Sequence, residues 1–370
     1  MKHREAAHAR RPRQGGATPT STHPALDRAT VAGLRARLLG WFAEHQRDLP
    51  WRRTRDPYAI WVSEVMLQQT RVETVVPYYH RFLARFPDVH HLADASADDV
   101  LAAWSGLGYY RRARLLHRGA AHVARELGGD LPATVQGLLA VPGIGRYTAG
   151  AIASIAFDVA APLVDGNVAR VLARLFAIGD DPKSTAGAAR TWAIAEALVS
   201  PRAPGAFNQA LMELGATVCV PRGPRCGGCP VAALCRARAE GLEHELPRVS
   251  PKRPPRRVDL VAIVARDASG RVLLGQRDES GTFASMWEPP MAERGAPLPV
   301  ATKGARRVGE VTHVLSHRRL HIEVHAAEGA TAPRRAVGGY RRFRWVAMGD
   351  LGEVGLATVS RKVLAAAGCD

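Results

Sequence analysis

Between about residues 30 and 245 the apolar positions fall three and four apart, the spacing that lines one face of a helix. VAGLRARLLGWFAEH and SADDVLAAWSG show it plainly, and Ser96 with Asp99 has the form of a capping box opening the second of these. The same spacing predicts helices at about 59–69, 71–86, 109–127, 133–140, 146–157, 166–178, 186–199 and 205–218, joined by loops that carry Gly, Pro and Asp. RVSPKRPPRR (248–257), with five basic residues and three prolines, then reads as a stiff charged linker. Beyond it the period drops to two. VDLVAIVARD and RVLLGQRD alternate as strands around the turn DASG, LHIEVHAAEG and YRRFRWVAM are further strands, and residues 358–368 read as a closing helix. The pattern divides the chain into a disordered basic tail over 1–29, a helical domain over 30–236, a linker over 237–257 and a mixed α and β domain over 258–370. There is no internal repeat.

A chain of 370 residues with 46% hydrophobic positions can bury two ordinary cores. Its formal net charge of +17 points to a polyanionic partner, nucleic acid first. No apolar run approaches the roughly 18 residues a membrane span requires, so no membrane partner is expected. MKHREAAHARRPRQGGATPTSTHP has no apolar core of the kind a secretory leader carries. It reads as a tail that skims phosphates, or one with no role, and its composition also suits an organelle transit peptide. The expectation is a monomer in a bacterial cytoplasm, on nucleoid DNA, with an organelle or the nucleus left open.

Three features carry chemistry. Cys219, Cys226, Cys229 and Cys235 are spaced C-x6-C-x2-C-x5-C. Four thiolates this close can enclose zinc or a 4Fe–4S cluster, and the unequal gaps suit the cluster better. VPGIGRYTAG (141–150) places Gly143 and Gly145 between two helical segments. Glycines there admit backbone angles other residues resist, so successive amides and a helix N-terminus can face one phosphate. The third feature is a pair of acids. Glu64 lies in the apolar run WVSEVMLQQT, a setting that raises a carboxyl pKa and keeps the proton on. Asp165 in LVDGNVARV stands where it can cap a helix and still offer an oxygen to a substrate. One protonated acid beside one carboxylate is the arrangement for breaking a glycosidic bond, and in DNA the leaving group is a base.

These motifs, with LPWR (49–52), SEVMLQQT (63–70) and GLGYY (106–110), resemble the MutY-type adenine DNA glycosylases of the endonuclease III superfamily over roughly residues 35–236, and more weakly beyond. The resemblance implies a mainly-α helix-hairpin-helix DNA glycosylase domain with a 4Fe–4S loop, followed by an α+β Nudix-like domain. It implies that the four cysteines bind the cluster, and that Gly143, Gly145 and Arg146 bind DNA phosphate, with Arg222 and Arg225 as further contacts. Glu64 then protonates adenine, Asp165 stabilises the sugar cation, and Asn167 orients the site. Tyr147 occupies the position where lyase relatives carry a lysine. A phenol forms no Schiff base, so Tyr147 is expected to donate a hydrogen bond near Asp165 and the sugar, and base excision to proceed by water with little strand cleavage.

Gln69 and Tyr109 match intercalating positions, with Thr70 and Leu107 in the same substrate-binding set. Trp51, Arg52 and Gln209 match the adenine pocket. In the second domain MWEPP has no following run of glutamates to hold Mg²⁺, so that domain is expected to bind without hydrolysing. Leu315, Ser316 and His317 stand where the family reads 8-oxoguanine with Phe-Ser-His, and Leu315 departs from that pattern. The implied partner is duplex DNA with adenine opposite 8-oxoguanine or guanine.

Overall fold

The computed structural model describes residues 26–251, 253–302 and 304–369, so the tail expected over 1–29 lies outside the described residues as far as residue 25. Asp27 caps α1 (Arg28–His45), accepting from the Thr30 amide at 2.8 Å, and Leu34, Leu38 and Phe42 form its buried stripe at four-residue spacing. α2 (Pro57–Leu67) starts on a proline behind the Asp56 cap, and every residue from Tyr58 to Met66 is buried. A helix apolar on all sides must be central.

Around it run α3 (Val72–Arg85), α4 (Val89–Asp94), α5 (Ala97–Ala103) and α6 (Arg111–Glu126). Gly119 lets α6 approach closely: a Cβ there would fall 2.7 Å from the Trp61 ring and 2.6 Å from the Pro142 carbonyl. α7 (Val135–Ala140) and α8 (Arg146–Phe157) form a hairpin, followed by α9 (Gly166–Leu175), α10 (Thr185–Leu198) and α11 (Pro204–Thr217). The cysteine loop then leads into the short α12 (Arg236–Ala239). Ala237 and Leu246 are buried, and the Leu246 carbonyl accepts from Arg174 Nε at 2.9 Å. Residues at the start of the expected linker therefore pack on the helices.

The second domain begins with β1 (Arg256–Arg266) and β2 (Val272–Arg277). The two-residue strand β3 (Trp287–Glu288), then β4 (Met291–Glu293), β5 (Ala301–Thr302), β6 (Arg306–Val314), β7 (Arg318–Glu328), β8 (Ala330–Thr331) and β9 (Tyr340–Val346) follow, before the closing helix α13 (Thr358–Ala366). The main sheet runs β3-β2-β1-β7-β6, with β4 also on β1 and β9 on β2. β1 and β7 pair in parallel from Arg256↔Arg318 to Arg266↔Glu328, so the chain between them makes a long crossover, here built of β2 to β6 and their loops. β6 and β7 make a hairpin whose tip is Leu315-Ser316-His317, closed by the Leu315 amide on the Arg318 carbonyl at 2.7 Å.

The domains share a core. Leu101 and Trp104 belong to the same buried cluster as Leu351, Val354 and Leu356. Ser105 donates to the Leu356 carbonyl at 2.6 Å, and Gln276 Nε2 to Asp98 Oδ1 at 2.7 Å.

Candidate active site

A cavity of about 660 Å³ opens between α2, the α7–α8 turn, α9 and α11. Glu64, Tyr147, Asp165, Asn167, Trp51, Arg52, Gln209, Gln69, Thr70, Gly143, Gly145 and Arg146 all line it, so residues far apart in sequence meet as expected.

Glu64 is 3% exposed on the buried helix α2. Burial raises its pKa to about 7, the nearby Asp165 adds to the rise, and a hydrogen bond from Tyr147 with the Arg52 charge opposes it. Tyr147 Oη donates to Glu64 Oε2 at 2.5 Å. The phenol lies close enough to Asp165 for that carboxyl to raise its pKa, and the acceptor of its hydrogen bond is Glu64, because α8 faces the end of α2 across the cavity. Burial and the two carboxyls hold Tyr147 well above the ordinary phenol pKa, so it stays a donor.

Asp165 is the cap of α9. Its Oδ1 accepts from the Val168 amide at 2.7 Å and its Oδ2 from Asn167 Nδ2 at 3.0 Å. Burial raises its pKa, and the amide, Asn167 and Arg170 all act against that rise. Arg170 Nη2 in turn donates to Asn167 Oδ1 at 2.8 Å, fixing the amide that serves Asp165. The two acids thus differ in what faces them: Glu64 receives one phenol, whereas Asp165 receives amide hydrogens at the positive end of a helix.

Arg52 is half-buried, with its side chain 10% exposed. Its Nη2 donates to Glu213 Oε2 at 2.7 Å, and Arg47 Nε to Glu213 Oε1 at 2.8 Å. Burial works to raise the Glu213 pKa, but the two arginines outweigh it and bring it to about 2. Arg47 and Glu213 also line the cavity, and the motif reading missed both. The available signal was Glu213 standing one helical turn after Gln209 in the otherwise apolar PGAFNQALMELGAT. Trp51 is held edge-on to Tyr79 with ring centroids 5.4 Å apart.

At the hairpin turn Gly143 has φ +89°, and a Cβ there would meet Leu115 at 2.8 Å. Gly145 differs from expectation: it is extended at φ −95° as the cap of α8, with open space around its Cα. Only the first glycine is required by backbone conformation; the second leaves room for close approach to the amides. Arg146, the first residue of α8, lies over the Trp192 ring at 3.8 Å.

A second cleft of about 790 Å³ lies between the domains. It brings Gln69, Leu107 and Tyr109 together with Leu315, Ser316 and His317, and Tyr109 Oη stands 3.4 Å from Ser316 Oγ. Tyr109 is 47% exposed at φ +49° and Gln69 sits at φ +61°, two non-glycine residues in the left-handed region at loop tips. Phe283, at φ +59° in the β2–β3 loop, lines the same cleft and had no sequence signal.

The cysteines occupy a separate place. Cys219, Cys226, Cys229 and Cys235 line one small cavity of about 30 Å³. Among the described residues no three His, Cys, Asp or Glu side chains are placed to hold a metal ion. The four sulfurs that share this cavity nonetheless fit a thiolate-bound metal centre by their donor chemistry. Burial pushes the Cys226, Cys229 and Cys235 thiols up, Cys229 to about 11, and neighbouring sulfurs add to the effect. A cationic centre reverses that by binding the thiolates. Buried Arg174 donates to Cys219 Sγ at 3.3 Å and to the Val220 carbonyl at 2.8 Å, pinning the loop to α9. Arg222 and Arg225 project from it exposed.

Known proteins agree with this architecture. The HhH-GPD superfamily of base excision DNA repair proteins matches residues 62–195, and the NUDIX domain family matches residues 261–366. A thermostable thymine-DNA glycosylase superposes with a TM-score of 0.53 at 30% identity, over 57% of this chain and 97% of its own. An endonuclease III trapped on DNA superposes with a TM-score of 0.50 at 21% identity, over 59% and 99%, which carries the fold alone. The class is therefore a helix-hairpin-helix base excision repair protein with a Nudix-like domain. The adenine DNA glycosylase of Homo sapiens is 39% identical over 418 residues, spanning 94% of this chain and 76% of the human one. The chain belongs to the adenine DNA glycosylase family.

Proposed function

We propose that this protein excises adenine opposite 8-oxoguanine or guanine in duplex DNA, hydrolysing the N-glycosidic bond of the extruded nucleotide without cutting the strand. The observation that carries the reading is the pair of unlike acids on one cavity: Glu64, buried and proton-bearing, and Asp165, served by donors. Glu64 delivers its proton to the purine, making the base a neutral leaving group. Asp165 faces the positive charge that grows on the sugar, and water completes the substitution. Tyr147 keeps Glu64 aimed by its hydrogen bond and has no amine with which to capture the sugar. Arg47 and Arg52, held by Glu213, present a fixed polar edge to the base beside the Trp51 plane.

Extrusion leaves a gap in the duplex. Gln69 and Tyr109 are the side chains at hand to fill it, and Ser316 and His317 meet the estranged partner base from the other domain. The α8 N-terminus with Gly143, Gly145 and Arg146 takes the phosphate. Cys219, Cys226, Cys229 and Cys235 would hold a 4Fe–4S cluster, which when bound stiffens the loop that carries Arg222 and Arg225. The protein acts as a monomer, and no described helix is long and apolar enough to cross a membrane.

Single-turnover base release from duplexes with adenine opposite 8-oxoguanine and each normal base tests this directly. Fastest release opposite 8-oxoguanine, then guanine, is expected; equal release opposite every partner overturns the lesion reading. Borohydride with the same duplexes should trap no covalent adduct, and a strong one would restore a lyase.

A further inference from the structure

Arg112 is a buried arginine that the chemistry above does not use. Among the described residues no carboxylate pairs with it. Its Nη1 donates to the carbonyls of Val65 at 2.7 Å, Met66 at 2.8 Å and Gln68 at 2.6 Å. Its Nη2 reaches Thr70 Oγ1 at 3.0 Å and the Gly108 carbonyl at 3.2 Å. Its guanidinium lies 5.4 Å from the Tyr109 ring centroid and 5.5 Å from that of Trp104.

These partners fall on three pieces of chain. Val65, Met66 and Gln68 end the helix that carries Glu64, where the last carbonyls lack partners along the helix and the dipole is negative. Thr70 and Gly108 flank Gln69 and Tyr109, the two residues in the left-handed region. Strain of that kind persists only where neighbours over-determine it. A planar fork with fixed donor directions does this; a lysine, with one rotating head, does not.

We infer that Arg112 is a positioning residue that locks the Gln69 and Tyr109 loops to the end of α2, so that filling the gap in the duplex and presenting Glu64 to the extruded base are one mechanical event. The inference rests on the base-extruding function proposed above. The alternative is that Arg112 only closes the end of α2 and supports Glu64.

The test compares Arg112→Lys and Thr70→Val with the parent protein. One duplex carries adenine opposite 8-oxoguanine; the other carries 2-aminopurine at the target position as a fluorescent report of extrusion. Arg112→Lys should slow single-turnover release about 10–100-fold, the scale of a small misplacement at a reacting centre. It should lower the extrusion signal several-fold and leave the pH at which release is half lost unchanged, since Glu64 and Tyr147 keep their contact. Thr70→Val should act in the same direction and less.

Wild-type extrusion by a folded Arg112→Lys protein overturns the inference. So does slowed release with full extrusion and a displaced pH midpoint, which assigns Arg112 to Glu64 alone. Should Arg112→Lys fail to fold, Thr70→Val decides: reduced extrusion supports the lock and full extrusion ends it. A parent protein that releases no adenine sinks the proposed function separately, and the extrusion signal still reports on Arg112.

Discussion

Each domain buries one glutamate against a tyrosine. In the helical domain Tyr147 donates to Glu64 at 2.5 Å; in the sheet domain Tyr340 donates to Glu288 at 2.6 Å. Both carboxyls are pushed up by burial. The difference lies in what else reaches them. Glu288 stands on β3 within 2.7 Å of Arg277 on β2, and Tyr340 also accepts from the Met291 amide at 2.9 Å. Those contacts join β2, β3, β4 and β9. Among the described residues no cation forms an ion pair with Glu64, which lines a cavity of about 660 Å³. The same pair of side chains is therefore a tie in one place and a proton source in the other. Access and counter-charge decide which.

The strongest way to break this comparison is Glu64→Gln. Removing a general acid lowers the rate by about 10²–10⁴-fold, and mismatch binding measured by gel shift should survive. The variant should also report the buried proton through stability. Glu64 titrates near 4.5 unfolded and about 7 folded, so its stabilising share is complete below the lower value and lost as pH rises through the upper one. Glu64→Gln should therefore melt like the parent near pH 4 and be more stable by up to about 3 kcal/mol at pH 8. Equal stability at both pH values would mean that Glu64 is solvated.

Glu288→Gln should do the reverse. Breaking a fully buried pair costs about 3–5 kcal/mol, and the loss should fall below that because the Arg277 side chain remains 26% exposed. Chemical denaturation should show the loss, while the folded fraction keeps its turnover. Unchanged stability would remove the distinction between the two glutamates.

Tyr147→Phe sharpens the comparison from the active-site end. Its hydrogen bond lowers the Glu64 pKa, so losing it should move the half-loss of activity to higher pH, read from a pH–rate profile. Smallest is Ser316→Ala with His317→Ala, expected to reduce the preference for 8-oxoguanine over guanine about tenfold, or roughly 1.4 kcal/mol. Unchanged discrimination would move lesion reading elsewhere in the cleft, where Phe283 is a further aromatic lining residue.

Much of this molecule was legible from residue order. The expected helices at 146–157 and 205–218 stand at Arg146–Phe157 and Pro204–Thr217, because their apolar faces are periodic and their ends carry caps or proline. β6 was not legible: RRVGEVTHV alternates only in part, and the register breaks between Arg307 and Gly309. β3, two residues long, exists through pairing with β2 and a bridge from Trp287 to Leu356. The acids, Trp51 and Arg52 were visible because each sits in an unusual local string. Arg47, Glu213 and Arg112 were not, because their meaning lies in partners up to 166 residues away. The acceptor of the Tyr147 hydrogen bond was hidden for a related reason. Sequence supplied the donor, but the facing of α8 and α2 chose the acceptor.

The apolar continuity from Leu101 and Trp104 into Leu351 and Leu356 has a practical consequence. The arginine- and proline-rich crossing between the domains is not what holds them together, so a protease nick there would leave a two-piece complex that still sediments and melts as one body. Neither half could be exchanged for a stand-in without exposing an oily scar on the other.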